Sequence, residues 1–270
     1  MKKIELFLFF SLVFFSCEKD KNYPLIVENT DIPLISKVLI GGETYMEYTY
    51  NEANLPLEEK SKFHYTKHFY NEVNQLISSD FYWDLSMASN NWSVVEAAMN
   101  RTEWVNPDNT PLDISHLFAY DKGGKVLRES YVHPSVNNTD YSEFKYEDNR
   151  IIRTTGYYNN AISGYTDYQY DTDGNIIKQM QYFVSNEGIA TLSATTEFEY
   201  DQMYNPYHSF KRLISPGIYT NPNNIIKETY TLNFDPGIYT ERIQVKENVY
   251  EYNNQGYPVR INGSTEYVYN

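Results

Sequence analysis

Three groups of side chains here are of types that do chemistry: five histidines, a cluster of tryptophans and a short acidic run. The histidines are His64, His68, His116, His133 and His208. Only His64 and His68 are close in sequence, and on a strand a pair four residues apart is separated by about 13 Å, too far to share a metal ion. Asp171-Thr172-Asp173-Gly174-Asn175 invites a calcium-loop reading. A helix-loop-helix calcium site, however, needs glycine at its sixth loop position and an acid at its twelfth, and this chain has Ile176 and Tyr182 there. Turn chemistry explains the run better. Glu43, Glu47, Glu52, Glu58 and Glu59 read as a solvated acidic face. No HExxH, paired-thiolate, nucleophile-elbow or phosphate-loop pattern occurs. The expectation is a protein that is not an enzyme, with no catalytic residues, no metal and no cofactor.

All three tryptophans, Trp83, Trp92 and Trp104, fall in one stretch that otherwise looks like a loop, beside Phe81 and Tyr82. Loop aromatics next to Asp84, Asn90 and Asn91 can stack on sugar rings and bond their hydroxyls, which makes Tyr82, Trp83, Trp92 and Trp104 candidate ligand-stacking residues. The competing reading is that these rings plug one end of a sheet and supply core.

The elements that position such residues start with the N-terminus. Lys2-Lys3 precede an apolar block from Leu6 to Phe15, broken only by Ser11 and ending at Ser16-Cys17. At ~1.5 Å per residue its helix would be about half the thickness of a bilayer core, so residues 1–16 read as a signal peptide. Cleavage before Cys17 leaves Ser16 at −1 and bulky Phe14 at −3, a poor fit to an ordinary signal peptidase. The segment resembles the bacterial lipoprotein signal, with Phe14 and Phe15 where Leu and a small residue usually sit. That resemblance implies a diacylglycerol on Cys17 and anchoring to the outer membrane, at its periplasmic face or the cell surface. Residues 17–31 read as a tether, and its opening Glu18-Lys19-Asp20-Lys21 resembles the surface-export signal of some Bacteroidetes lipoproteins. Cys17 is the only cysteine, so no intramolecular disulfide can form.

The chain has 270 residues, 22 Lys and Arg against 36 Asp and Glu, and a net charge of −14. No basic run exceeds two residues, and nucleic acid is a poor partner because its binding needs clustered cations. Tyrosines number 28, against 14 Phe and 3 Trp. Rings with a polar tip suit half-wet sheet faces better than a helical interior.

A short unit recurs: an aromatic, any residue, Tyr, then Asp, Asn or Glu, a few polar residues, Gly or Asn, and an apolar residue. Its copies are Tyr48-Thr49-Tyr50-Asn51, Phe118-Ala119-Tyr120-Asp121, Phe144-Lys145-Tyr146-Glu147, Tyr168-Gln169-Tyr170-Asp171, Phe198-Glu199-Tyr200-Asp201 and Tyr250-Glu251-Tyr252-Asn253. Tyr70-Asn71 is a looser seventh. Four residues after the second aromatic stand Asn54, Asn74, Gly124, Gly174 and Gly256; seven after it stand Leu57, Ile77, Leu127, Ile177 and Val259. Two aromatics spaced by two share one face of a strand, the Asx holds a turn, and Gly or Asn supplies its left-handed residue. Each unit therefore predicts a β-hairpin, with a bulge able to shift its register by one.

On Tyr170–Asn175, Tyr200–Tyr207 and Tyr250–Pro258, the chain resembles the YD-repeat or Rhs-like hairpin family, and more closely the Tyr-rich repeat lipoproteins of Bacteroidetes. The resemblance covers residues 118–270 well and 34–80 loosely; it implies a run of hairpins and no activity.

The expected fold is all-β: one domain over 32–270, an antiparallel meander of about a dozen strands curled into an open or half-barrel. Leu34–Ile40 and Thr44–Tyr50 form its opening hairpin around Gly41-Gly42. Residues 80–116 form an insertion, with a short helix near Ser93–Met99. Strands such as Ser142–Tyr146 alternate charge with aromatic, which suits a wet outer face and not a lipid-facing one. The function expected is a non-catalytic envelope lipoprotein that binds a polysaccharide or an envelope protein. A structural scaffold is the alternative, and a hydrolase with an unrecognised site the third.

Overall fold

The computed structural model describes residues 32–84, 103–137, 139–207, 209–210, 216–233 and 242–270. These hold seventeen strands in one antiparallel sheet. In chain order they are β1 (Ile35–Ile40), β2 (Glu43–Tyr50), β3 (Pro56–Ser61), β4 (His64–Tyr70), β5 (Leu76–Trp83), β6 (Ile114–Tyr120), β7 (Val126–Val132), β8 (Asp140–Glu147) and β9 (Arg150–Tyr158). Then follow β10 (Ala161–Tyr170), β11 (Ile176–Val184), β12 (Ala190–Tyr204), β13 (Asn223–Leu232), β14 (Arg242–Glu247), β15 (Tyr250–Tyr252), β16 (Pro258–Ile261) and β17 (Thr265–Tyr269). The expected all-β meander is observed, with more strands than a dozen. The short helix expected near Ser93–Met99 lies outside the described residues, as do Cys17 and its flanks.

Each strand pairs with the next from β1 to β14 and from β15 to β17, and β17 pairs with β1 across Val38 and Tyr267. The sheet thus bends until its first and last strands meet. Its ladder is not closed all round, because among the described residues β14 pairs only with β13 and β15 only with β16. Asn248 and Val249 make the hand-over: the Asn248 N–H donates to Ile226, while the Val249 carbonyl accepts from Asn262.

The repeats build one end of this sheet in the same way each time. The Asx after the second aromatic accepts two backbone N–H groups of its own turn: Asn51 from Ala53 and Leu55, Asp121 from Gly123 and Lys125, Asn253 from Gln255 and Tyr257. Asn54, Asn74, Gly124, Gly174 and Gly256 all take positive φ, the left-handed residue that closes the turn. A bulge beside the second aromatic recurs at Tyr50, Tyr70, Tyr120, Tyr170 and Tyr252 and fixes the register. That ring then latches onto the preceding hairpin. The hydroxyls of Tyr70, Tyr120, Tyr170 and Tyr200 donate to the carbonyls of Pro56, Leu76, Ile151 and Ile176 at 2.6–2.7 Å, the first or second positions of the return strands. Tyr252 departs from this and donates to the Asp201 carboxylate.

Alternation then gives the sheet two chemistries. The repeat aromatics share the inner face. The outer face carries cross-strand ion pairs, among them Lys37–Glu47, Arg128–Glu143, Arg153–Asp167 and Lys178–Glu197. Among the described residues no helix is long and apolar enough to cross a membrane, which says nothing of strands. Inside, the described parts of the connection from β12 to β13, 205–207, 209–210 and 216–222, turn inward as a plug. Phe210, fully buried, meets Tyr48, Tyr207 and Tyr219 at ring centroid distances of 5.1–5.6 Å, and Ile35, Val38 and Met46 complete this core. Asn205 ties the plug's two ends together, donating to the Asn221 carbonyl at 2.8 Å.

Candidate functional site

The inner face holds two chambers, and successive plug residues face them: Ile218 lines the larger and Tyr219 the smaller. The larger, about 630 Å³, lies along β11 to β17. Its walls combine the amides of Gln179, Gln181, Asn248 and Asn262 with the rings of Phe198, Tyr230 and Tyr267. Glu228 of β13 and Lys246 of β14, register partners, add one charge of each sign.

The smaller chamber, about 260 Å³, lies along β3 to β7 and holds three histidines and two glutamates. His68 bridges two strands: its Nε2 stands 3.0 Å from Glu59 Oε1 and its Nδ1 2.8 Å from Ser79 Oγ. Next in the same row, His116 Nδ1 lies 2.7 Å from Glu129 Oε1, and Tyr131 hydrogen-bonds Ser142 at 2.9 Å. Burial and the nearby Glu129 push the Tyr131 hydroxyl up to about 12. His64 pairs its Nδ1 with Ser61 Oγ at 3.0 Å, and burial holds its pKa below the usual imidazole value.

Ser79, His68 and Glu59 have the order hydroxyl, imidazole, carboxylate. Ser79 is only 2% exposed, and it pairs with β4 on one side and β6 on the other, so no nearby strand N–H is turned toward it as an oxyanion donor. The arrangement holds an imidazole between a carboxylate and a buried hydroxyl. Among the described residues no three His, Cys, Asp or Glu side chains are grouped to hold a metal ion.

Of the candidate stacking residues, Tyr82, Trp83 and Trp104 are described. Tyr82 and Trp83 are neighbours in β5 and so point to opposite faces. Tyr82 packs on Tyr65 at 5.7 Å, while Trp83, 40% exposed, tilts over His64 at 5.3 Å and lines the smaller chamber. Trp104 is half-buried beside Val105, whose N–H donates to the Ser61 carbonyl. Trp92 and His208 lie outside the described residues. Most of the insertion expected to plug one end lies outside the described residues; among the described ones, the rings packed inside the sheet are Phe210, Tyr207 and Tyr219 of the β12–β13 connection. Glu59 also leaves the solvated scatter assigned to it, since it is buried on His68. Asp171 works as turn chemistry: burial raises its pKa, but hydrogen bonds from Asn175, Gly174 and Asp173 outweigh this and leave it lowered.

What sequence reading missed was the pairing of Glu59, His68, Ser79, His116 and Glu129 across five strands. One signal was available: six copies carry an aromatic two before the second tyrosine, and the looser seventh carries His68 there.

No family model and no curated protein matches the sequence. Among solved structures the chain is similar to a porin-like protein from Bacteroides vulgatus, with a TM-score of 0.41 and 12% identity over 88% of this chain and 99% of that one. It is also similar to part of TcdB2-TccC3, with a TM-score of 0.31 and 17% identity over 76% of this chain and 9% of that one. The complex of TcdB2-TccC3 with Cdc42 gives 0.30 and 14%, over 79% and 10%. The chain therefore spans about a tenth of the TcdB2-TccC3 chains. All three likenesses are distant.

Proposed function

We propose that this protein is a non-catalytic, lipid-anchored module of the outer membrane that holds an oligosaccharide in its larger chamber. The observation that carries the reading is the lining of that chamber: the amides of Gln179 and Gln181, which can both donate and accept, set among rings that can stack on a sugar face, while Asn248 and Asn262 bond each other and the backbone beside them. Its volume, about 630 Å³, falls in the range of roughly 300–1,000 Å³ typical of ligand sites. The tyrosine latch and Asx turn, repeated along the sheet, support kinship with the Tyr-rich YD-type lipoproteins of Bacteroidetes.

Orientation follows from the topology. β1 starts at the end of the sheet where the Asx turns lie, since the Asn270 N–H donates to Leu34 beside it. A lipid on Cys17, tethered through residues 18–31 that reach at most about 50 Å when extended, holds that end toward the membrane. The opposite end, where β1 turns into β2 at Gly41-Gly42, faces away. Glycan arrays followed by calorimetry on the hits test the reading. Wild-type protein is expected to bind, and Tyr230→Ala or Gln179→Ala to weaken binding about tenfold, a loss of ~1.4 kcal/mol. An array with no binder, or hits indifferent to both substitutions, overturns it.

A second reading, a scaffold that grips an envelope protein, draws on the outer face. There Arg128 lies over Tyr141 at 3.9 Å and Arg153 over Tyr165 at 4.0 Å, and the pairs Tyr141–Tyr157 and Tyr165–Tyr182 stack at 4.5 and 4.6 Å. A membrane partner lost on Tyr141→Ser and Tyr165→Ser would favour it.

A further inference from the structure

We propose that the smaller chamber is a binding site for an organic ammonium group, independent of whatever fills the larger one. Its lining combines four aromatic rings, Phe81, Trp83, Phe118 and Tyr219, with two carboxylates, Glu59 and Glu129, and three imidazoles, and among the described residues no Lys or Arg lines it. The lysines nearest Glu59 in sequence do not help. Lys60 adjoins Glu59 in β3 and so points to the opposite face, where its ammonium pairs with Glu58 at 2.8 Å. Glu59 is 8% exposed, and its negative charge is felt by the Tyr48, Tyr50 and Tyr219 hydroxyls, each of which it pushes upward after burial has done so.

A buried carboxylate is costly, and the cost falls when a positive group arrives. Aromatic faces around it attract a cation and repel an anion. Ser79 and Thr66 hydroxyls on the same wall can accept from an N–H. At about 260 Å³ the chamber admits a trimethylammonium or aminomethyl end and not an oligosaccharide chain. The two His–Glu pairs serve as supports: each imidazole holds one oxygen of its carboxylate and so fixes where the charge sits.

The test uses the folded protein and reads Trp83, which lines the chamber, by fluorescence with calorimetry alongside. Choline is compared with its neutral isostere 3,3-dimethylbutan-1-ol. Glucosamine is compared with N-acetylglucosamine, and lysine amide supplies the side-chain amine of a protein. The three cations separate a free quaternary ammonium, an amino sugar and a peptide as sources of the same chemistry. We expect at least one cation to bind about tenfold or more tighter than its neutral counterpart, and Glu129→Gln or Phe118→Ala to remove that preference. Equal binding of cation and isostere, no binding of any cation, or an unchanged preference in a normally melting Glu129→Gln would each overturn the proposal. Should Glu129→Gln fail to fold, the wild-type comparison of choline with its isostere decides. Loss of oligosaccharide binding in Tyr230→Ala leaves all these readings untouched, so the two sites fail separately.

Discussion

The wall built from β3 to β7 and the wall built from β11 to β13 occupy the same slots of the same repeat, yet their chemistry differs. Nine residues after the second aromatic, the first wall carries Glu59, Ser79 and Glu129, and the second carries Gln179. Two before it the first wall has His68 and Phe118, the second Phe198; four before it, His116 stands against Thr196. The repeat thus dictates where a side chain points and how its strand is held. Single residues in fixed slots then decide whether a chamber is ionic or amide-lined.

The largest expected effect breaks the comparison altogether. Phe210→Ala removes the ring at the centre of the plug between the chambers and should cost about 3–5 kcal/mol of stability by urea unfolding. An effect below about 1 kcal/mol would mean that the plug does not hold the interior.

A smaller effect separates the walls. Glu59→Gln disturbs a buried carboxylate–imidazole contact and should cost roughly 1–3 kcal/mol, whereas Gln179→Ala, at a slot facing the larger chamber, should stay near 0.5 kcal/mol. Equal costs would remove the distinction between an ionic and an amide wall. The latch, by contrast, should be indifferent to the wall: Tyr120→Phe and Tyr200→Phe each leave a carbonyl unpaired and should cost about 1–2 kcal/mol alike.

The smallest expected effect is a pH dependence at the turns. Asp171 has a lowered pKa in the folded chain, so its contribution is present above the unfolded value of about 3.9 and is lost as pH falls through the folded value. In Asp171→Asn the wild-type loss of melting temperature below about pH 4 should shrink. An identical acid profile would show that the Asp171 hydrogen bonds add nothing to the charged form.

The fold was largely legible because its signals are local. Tyr170, Asp171 and Gly174 sit within five residues, and each acts on its immediate neighbours. Even the bulge follows from the same short unit. The long reach of the Tyr200 hydroxyl to Ile176 was not legible, because one strand's periodicity does not state which neighbour it meets. The smaller chamber was hidden for the same reason: His68 lies nine residues from Glu59 and eleven from Ser79, and its sequence neighbour His64 is not its partner. The plug escaped notice because residues 205–222 resemble the repeats around them, down to Asn205-Pro206-Tyr207, and only the insertion of Phe210 between Tyr48 and Tyr219 reveals a different use.

Whether the meander encloses an interior at all rests on the meeting of its first and last strands, and one measurement addresses that directly. Lys37 and Val268 face each other across β1 and β17 on the outer side of the sheet. In a soluble chain starting after Cys17, Lys37→Cys with Val268→Cys should oxidise to a single intramolecular disulfide, seen by mass and by a raised melting temperature, because opposed strand positions meet the distance a disulfide requires. Two free thiols after oxidation of the folded protein, with unchanged melting, would contradict the account: the strands would not meet and neither chamber would have a second wall.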